Sequence, residues 1–174
     1  MNAKQKGSIK KLNALLNNIT LIAEEVDYLS YQSLYISKKI SAYDAYKKIT
    51  SYQPKWIELL FNIRDFLGKI VGIKSINGFN VLDKNEPDIG NKVHFFTVIE
   101  KEENILTLVV RDWHLDVCVH IRIINANDYH NKLYLITSVK NHNLVGKLYM
   151  LPVSIMHPYI VSKLFENLNI KQKE

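Results

Sequence analysis

The sequence predicts an α+β domain: one strand, two helices, a run of antiparallel strands and a long C-terminal helix. Three observations carry this. Apolar residues recur every three or four positions near both ends and again over residues 54–72. Between residues 92 and 140 the period changes to two, in four successive stretches joined by short polar links, and links that short join antiparallel strands. Strands therefore follow helices instead of alternating with them, which separates this arrangement from a doubly wound parallel sheet.

Taken in order, Leu12, Leu15, Leu16, Ile19, Ile22, Ala23 and Val26 share one helical face. They predict an amphipathic N-terminal helix over residues 9–26, within a 1–26 segment packed on the body, with residues 27–174 forming a single domain. "DYLSYQSLYIS" (27–37) alternates and is rich in aromatics, as a strand requires. Ser41 suits an N-cap for a short helix, "AYDAYKKIT". Pro54 suits the first turn of the next helix, since it has no N–H to lose there. Trp56, Leu59, Leu60, Ile63, Leu67 and Ile70 form the apolar stripe expected of that helix, and Gly72 ends it. Residues 75–91 read as loop and short strand. The four strands expected next are 92–100, 104–111, 114–124 and 132–140. Residues 143–168 then read as one helix, although it contains Pro152 and Pro158, and an interior proline costs about 3 kcal/mol. Both are expected to bend the helix around the sheet.

Apolar residues make up 47 % of the chain and charged residues 23 %, a globular composition with a core and not a disordered one. The net charge of +6 is modest, and no helix face or aromatic motif carries a dense basic stripe, so nucleic acid is not an expected partner. Cys118 stands alone, so no intrachain disulfide forms. No continuous apolar stretch of signal-peptide or membrane-spanning length is read, and the N-terminal helix has few positive charges on its polar face. A cytoplasmic protein without stable membrane insertion is the expectation.

Three segments carry a resemblance. "PKWIELLFNIRDFLGKIVGIK", "DWHLDVCVHI" and "NHNLVGKLYMLPVSIMHPYIV" resemble the bacterial domain-of-unknown-function family 2867. That family has a P-x-W helix ending in G-L-K, a D-x-H-L-D strand, an H-N-x-x-G-R-x-Y segment and a P-F-H-x-x-I-V helix. The matching positions include Pro54, Trp56, Arg64, Asp112, His114, Asp116, His142, Asn143, Gly146, Tyr149 and His157. Lys147 replaces an expected arginine, and Ile155 replaces the helix proline. The resemblance spans roughly residues 26–168 and implies a START-like, helix-grip fold, a curved antiparallel sheet wrapped around a long C-terminal helix. Such proteins commonly hold an apolar ligand between sheet and helix, and some are cyclases or hydratases. The resemblance supplies a scaffold and a pocket location, not a reaction.

Several residues are candidates for chemistry. His142 and His157 would stand about 22 Å apart on one straight helix, too far to share a metal ion. His157 borders the apolar face, where either a structural histidine or an acid–base group fits. On "RDWHLDVCVHIR", alternation puts Leu115, Val117, Val119 and Ile121 on one face and Asp112, His114, Asp116, Cys118, His120 and Arg122 on the other. That polar face reads either as the solvent side or, over Asp112–Asp116, as a pocket mouth in which a carboxylate orients an imidazole. His114 and His120 are about 20 Å apart along a strand, so they are not a metal pair. Arg64 fits an ion pair with Asp65, Asp112 or Asp116, or a ligand carboxylate. No phosphate-binding glycine loop, H-E-x-x-H, G-x-S-x-G or cysteine cluster occurs, so no metal or cofactor is expected.

Three functions remain open on the sequence. In the first, the domain binds a small apolar or amphipathic ligand walled by Trp56, Phe95, Tyr134, Tyr149, Met156 and Tyr159, with Arg64 available to an anionic group. In the second, it is a cyclase- or dehydratase-type enzyme using Asp112 with His114, or His157, as the acid–base group. In the third, it is an interaction protein, with a homodimer as one form, whose core is filled by its own side chains.

Overall fold

The computed structural model describes residues 1–37, 40–70, 72 and 86–169, apart from some side chains within helices and strands. The elements are α1 (Ala3–Leu16), β1 (Tyr28–Ser37), α2 (Ala42–Thr50), α3 (Lys55–Ile70), β2 (Lys92–Val93), β3 (Phe96–Glu102), β4 (Ile105–Arg111), β5 (Leu115–Asn125), β6 (His130–Asn141) and α4 (Leu144–Asn169). The fold is α+β. Six antiparallel strands form one sheet in the order β1-β6-β5-β4-β3-β2. The first strand thus pairs with the last, Tyr28 opposite Val139 and Ser37 opposite His130.

One face of the sheet packs against α2 and α4. Ala45, Tyr46 and Ile49 from α2 and Val161, Leu164 and Phe165 from α4 join Leu108, Ile121, Leu133 and Leu135 in the main core. The Asn167 amide ties the end of α4 to α2, donating to the carbonyls of Ile49 and Tyr52 at 2.8 Å each. Gln32 Nε2 of β1 donates to the Pro158 carbonyl at 2.7 Å, which ties the middle of α4 to the first strand. The outward side of α4 leaves Leu144, Leu148, Leu151, Ile155 and Tyr159 exposed. Over Leu144–Leu168 this helix is long and apolar enough, by length and composition alone, to cross a membrane. The expectation that no such stretch exists is therefore corrected. The prolines and His157 interrupt the apolar run in the sequence, but few charges offset it.

The opposite face of the sheet is covered by α1 and residues 17–26. Leu12 and Leu16 pack on Tyr134 and Ile136. The helix is shorter than the periodicity predicts. Asn17 and Asn18 adopt φ 51° and 73°, a left-handed backbone that stops a helix and that asparagine tolerates better than most residues. Residues 19–26 then run without regular structure over the sheet, held where Ile22 N–H donates to the Ser138 hydroxyl at 3.0 Å.

Two further expectations change. The strand expected over 92–100 is a hairpin, β2 turning into β3 at His94–Phe95, with His94 at φ 54°. No glycine or asparagine marks this turn. Tyr46 of α2 holds it instead, through its hydroxyl and His94 Nδ1 at 2.8 Å. In α3 Ile57 is fully buried, whereas Trp56 and Leu59 of the expected stripe are exposed. The segment WIELLF is apolar in more than one helical phase, and at its start Ile57 faces the core; the side chains of the later stripe residues Ile63, Leu67 and Ile70 lie outside the described residues. Gly72 has φ 76°, the conformation expected of a glycine that ends a helix. Of the stretch read as loop and short strand, 75–91, residues 75–85 lie outside the described residues.

Candidate functional site

A cavity of about 440 Å³ lies between the inner face of the sheet and α4. Its walls follow from strand parity. Leu115, Val117 and Val119 of β5 and Leu135, Thr137 and Val139 of β6 share one face, with Tyr28 of β1 opposite Val139. From above, α4 contributes Tyr149, Met150, Val153, His157, Ile160 and Leu164. These positions recur at three- and four-residue spacing, so one helical face meets the sheet. Tyr46, Ile49, Phe95 and Phe96 close the α2 end, and Lys92, Arg111 and Asp112 bring charge to the lining.

One end of the cavity is built by the link between β4 and β5, residues 112–114. Because β5 begins only at Leu115, strand alternation does not govern this turn, and both Asp112 and His114 line the cavity. Asp112 N–H donates to the Leu115 carbonyl at 3.1 Å. The Asp112 carboxylate caps the turn, accepting from Trp113 N–H at 2.8 Å, and its other oxygen lies 3.6 Å from His114 Nδ1. His114 is buried, and its ring meets Tyr149 edge to face at 5.5 Å.

The start of α4 grips the same turn. His142 N–H donates to the His114 carbonyl at 2.9 Å, and Asn143 Nδ2 donates to the Trp113 carbonyl at 3.1 Å. Asn143 Oδ1 accepts from Gly146 N–H at 3.1 Å, an N-cap bond. Gly146 sits so close that an added Cβ would lie 2.1 Å from the His114 carbonyl oxygen. Only glycine fits. Beside this junction, His142 Nε2 pairs with Asp116 Oδ1 at 3.1 Å.

Farther along the cavity, His157 Nδ1 lies 3.3 Å from the Tyr28 hydroxyl, with the rings edge to face at 5.7 Å. Burial pushes the His157 pKa down to about 4, so the imidazole is neutral at pH 7. Burial also raises the Tyr28 pKa, against a hydrogen bond from Ser30 that lowers it, so the phenol stays protonated. Thr137 is 3 % exposed, and its hydroxyl has no hydrogen-bond partner among the described residues.

The segments that meet here are those whose sequence resembles a known family. The family model described as protein of unknown function, DUF2867, matches residues 22–164. The chain belongs to that family. No curated protein matches it. Segments distant in this sequence thus form one junction: Asp112–Asp116 supplies the turn, His142–Gly146 the helix start that rests on it, and Tyr149 and His157 the helix face above the cavity.

Of the residues singled out in the sequence, Asp112, His114, His157, Phe95 and Tyr149 line the cavity. Tyr134 does not. Its parity is that of Ile136, and it packs on the opposite face of the sheet under α1. Tyr159 and Trp56 are exposed, and Met156 is half-buried beside the cavity face without lining it. Arg64 belongs to α3, and its side chain lies outside the described residues. Tyr28 and Thr137 were not singled out. The alternation Leu135–Thr137–Val139 carried the signal for Thr137, a polar residue on an apolar strand face.

The solvent-side reading of the other β5 face is corrected. Cys118 and His120 are buried, because residues 17–26 cover them. Glu100 Oε2 accepts from the hydroxyls of Thr20 (3.1 Å) and Thr107 (2.6 Å), and Thr107 Oγ1 lies 2.7 Å from His120 Nδ1. With its one proton given to Glu100, Thr107 accepts from Nδ1–H of a neutral imidazole. Burial lowers the His120 pKa to about 4 although Glu100 opposes the shift, and Arg122 adds to it. This chain fastens the N-terminal cover and does not reach the cavity lining. Among the described residues no cluster of histidine, cysteine and carboxylate side chains could hold a metal ion.

Proposed function

We propose that the protein is a helix-grip, START-like module that binds a small, largely apolar molecule between its sheet and α4. The cavity carries this reading. A mostly apolar space of about 440 Å³ is of the size that holds a small molecule, and packed interiors otherwise keep few voids because voids are destabilising. Its position supports the helix-grip reading as well. Two helices follow β1, the last strand returns to pair with β1, and the C-terminal helix closes the inner face.

Titration with N-phenyl-1-naphthylamine, an uncharged fluorophore, tests the reading. Saturable binding is expected near one molecule per chain, and Val153→Trp, which fills the cavity from α4, is expected to abolish it. No saturable binding by the folded wild-type protein refutes the proposal.

A second reading, an acid–base enzyme of cyclase or dehydratase type, is favoured by one observation: Asp112, His114 and His157 all line the same cavity. A neutral His157 suits a general base. Native mass spectrometry of the purified protein, followed by incubation of whatever co-purifies, tests it. A mass change of one water that His157→Gln suppresses supports catalysis, and an unchanged molecule supports binding alone.

A further inference from the structure

The ligand's chemistry is written into the floor of the cavity. Thr137 lies in the middle of β6, opposite Val119 on one side and Ser30 on the other. It lines the cavity between Leu135 and Val139, is 3 % exposed, and has no hydrogen-bond partner for Oγ1 among the described residues. A hydroxyl that is buried and unpaired is destabilising, and a purely hydrocarbon ligand would seal that penalty in. The Tyr28–His157 pair stands on the same wall, with Tyr28 opposite Val139, two residues from Thr137 along β6.

The polar group that meets Thr137 is uncharged by the same logic. The cationic lining residues are Lys92 and Arg111, both exposed. Arg111 shares a row with Asp116 and Lys140. That row is three residues from Thr137, about 10 Å along the strands, and β4 lies a further two strands away. A carboxylate at Thr137 would therefore be buried without a counter-charge. His157 adds no positive charge at neutral pH, since burial lowers its pKa to about 4.

Resting on the ligand-binding reading above, we infer that the cavity selects an apolar molecule bearing one uncharged hydroxyl or carbonyl group, which hydrogen-bonds to Thr137 at the cavity floor. Apolar walls on both sides fix the body of the molecule, and the threonine fixes its depth and orientation.

Naphthalene and 2-naphthol, matched in shape and differing by one hydroxyl, are the probes. Their dissociation constants are measured by competition against N-phenyl-1-naphthylamine on the wild-type protein, Thr137→Val and Thr137→Ser. The valine is nearly the same shape without the hydroxyl, and the serine keeps the hydroxyl. Thr137→Val is expected to leave naphthalene binding within about twofold while weakening 2-naphthol about tenfold, and Thr137→Ser to retain the preference for 2-naphthol. An unchanged ratio of the two constants in Thr137→Val overturns the inference while leaving the cavity as a binding site. Equal weakening of both probes overturns it too, because the hydroxyl then acts on the fold and not on the ligand. If neither probe binds the wild-type protein, the inference falls together with the reading it rests on.

Discussion

Gly7 and Gly146 both lie within helices, and the structure predicts opposite effects for the same change at each. Alanine exceeds glycine in helix propensity by about 1 kcal/mol. At Gly7 in α1 a Cβ would meet nothing within 4 Å, so Gly7→Ala gains up to that amount and raises the melting temperature by about 2–4 °C. At Gly146 the added carbon would lie 2.1 Å from the His114 carbonyl oxygen, which is backbone and cannot swing aside like a side chain. Relief needs a separation of nearly an ångström. That movement breaks the bond from His142 N–H to the same carbonyl, now 2.9 Å, and strains the Asn143–Trp113 bond. Overpacking costs about 1–3 kcal/mol and each lost bond about 1 kcal/mol, against about 1 kcal/mol of gained propensity. The net is about 2–3 kcal/mol of destabilisation, or about 5–10 °C for a chain of this length. Thermal unfolding followed by circular dichroism reads both variants. A Gly146→Ala protein as stable as the wild type would refute the close packing of α4 on the 112–114 turn.

Other outcomes follow from the same contacts. Asn143→Ala removes the N-cap of α4 and the bond to Trp113 and is expected to cost about 1–2 kcal/mol in denaturant unfolding, with Asn143→Asp recovering only the cap. His120 and His157 have folded pKa values near 4 against an unfolded value near 6.5, so the unfolded chain binds more protons between these limits. Stability is therefore full above about pH 6.5 and falls as pH drops toward 4, with a slope of up to about 2.7 kcal/mol per pH unit from the two groups. His157→Phe should reduce that slope by about half, and an unchanged slope contradicts a neutral buried His157. The Cys118 thiol is fully buried, its pKa is pushed up to about 12 by burial, and it donates to the Thr20 carbonyl at 3.7 Å. Iodoacetamide at pH 8 should leave it unlabelled in the native protein and label it on unfolding. Rapid native labelling would mean that residues 17–26 do not cover the sheet.

The α+β order was legible because periodicity reports which face is buried. The alternation of β4, β5 and β6 matches their inward rows, and the helices α2 and α4 fall where caps and apolar spacing put them. What alternation could not report was a cover on the second face. Cys118 and His120 read as solvent-facing because the irregular segment that buries them, residues 17–26, has apolar residues at a spacing that also fits a helix. Asn17 and Asn18 were the available stop signal. The β2–β3 turn was hidden because a histidine adopts the positive φ that sequence reasoning assigns to glycine or asparagine. At the site, Asp112 and His114 share the cavity although one strand face would carry both away from Val117, since a turn does not obey the strand period. Tyr134 was misplaced by the opposite error: it is aromatic and central, but one residue out of step with Leu135.

The pairing of β1 with β6 has a consequence for the newborn chain. More than ninety residues separate Ser37 from its partner His130. At ribosomal speeds of about 5–20 residues per second, β1 waits on the order of 5–20 s for the strand it must join. Throughout that interval its alternating tyrosines and aliphatics present an open edge, the kind of surface that pairs with a neighbouring chain. The segment that covers the sheet can reach Glu100 and Cys118 sooner, but its docking is complete only when Ser138 of β6 arrives. The two ends of the molecule therefore become native together, in a late step that closes a long loop, and mutations that slow β6 should raise aggregation during synthesis before they lower the stability of the finished protein.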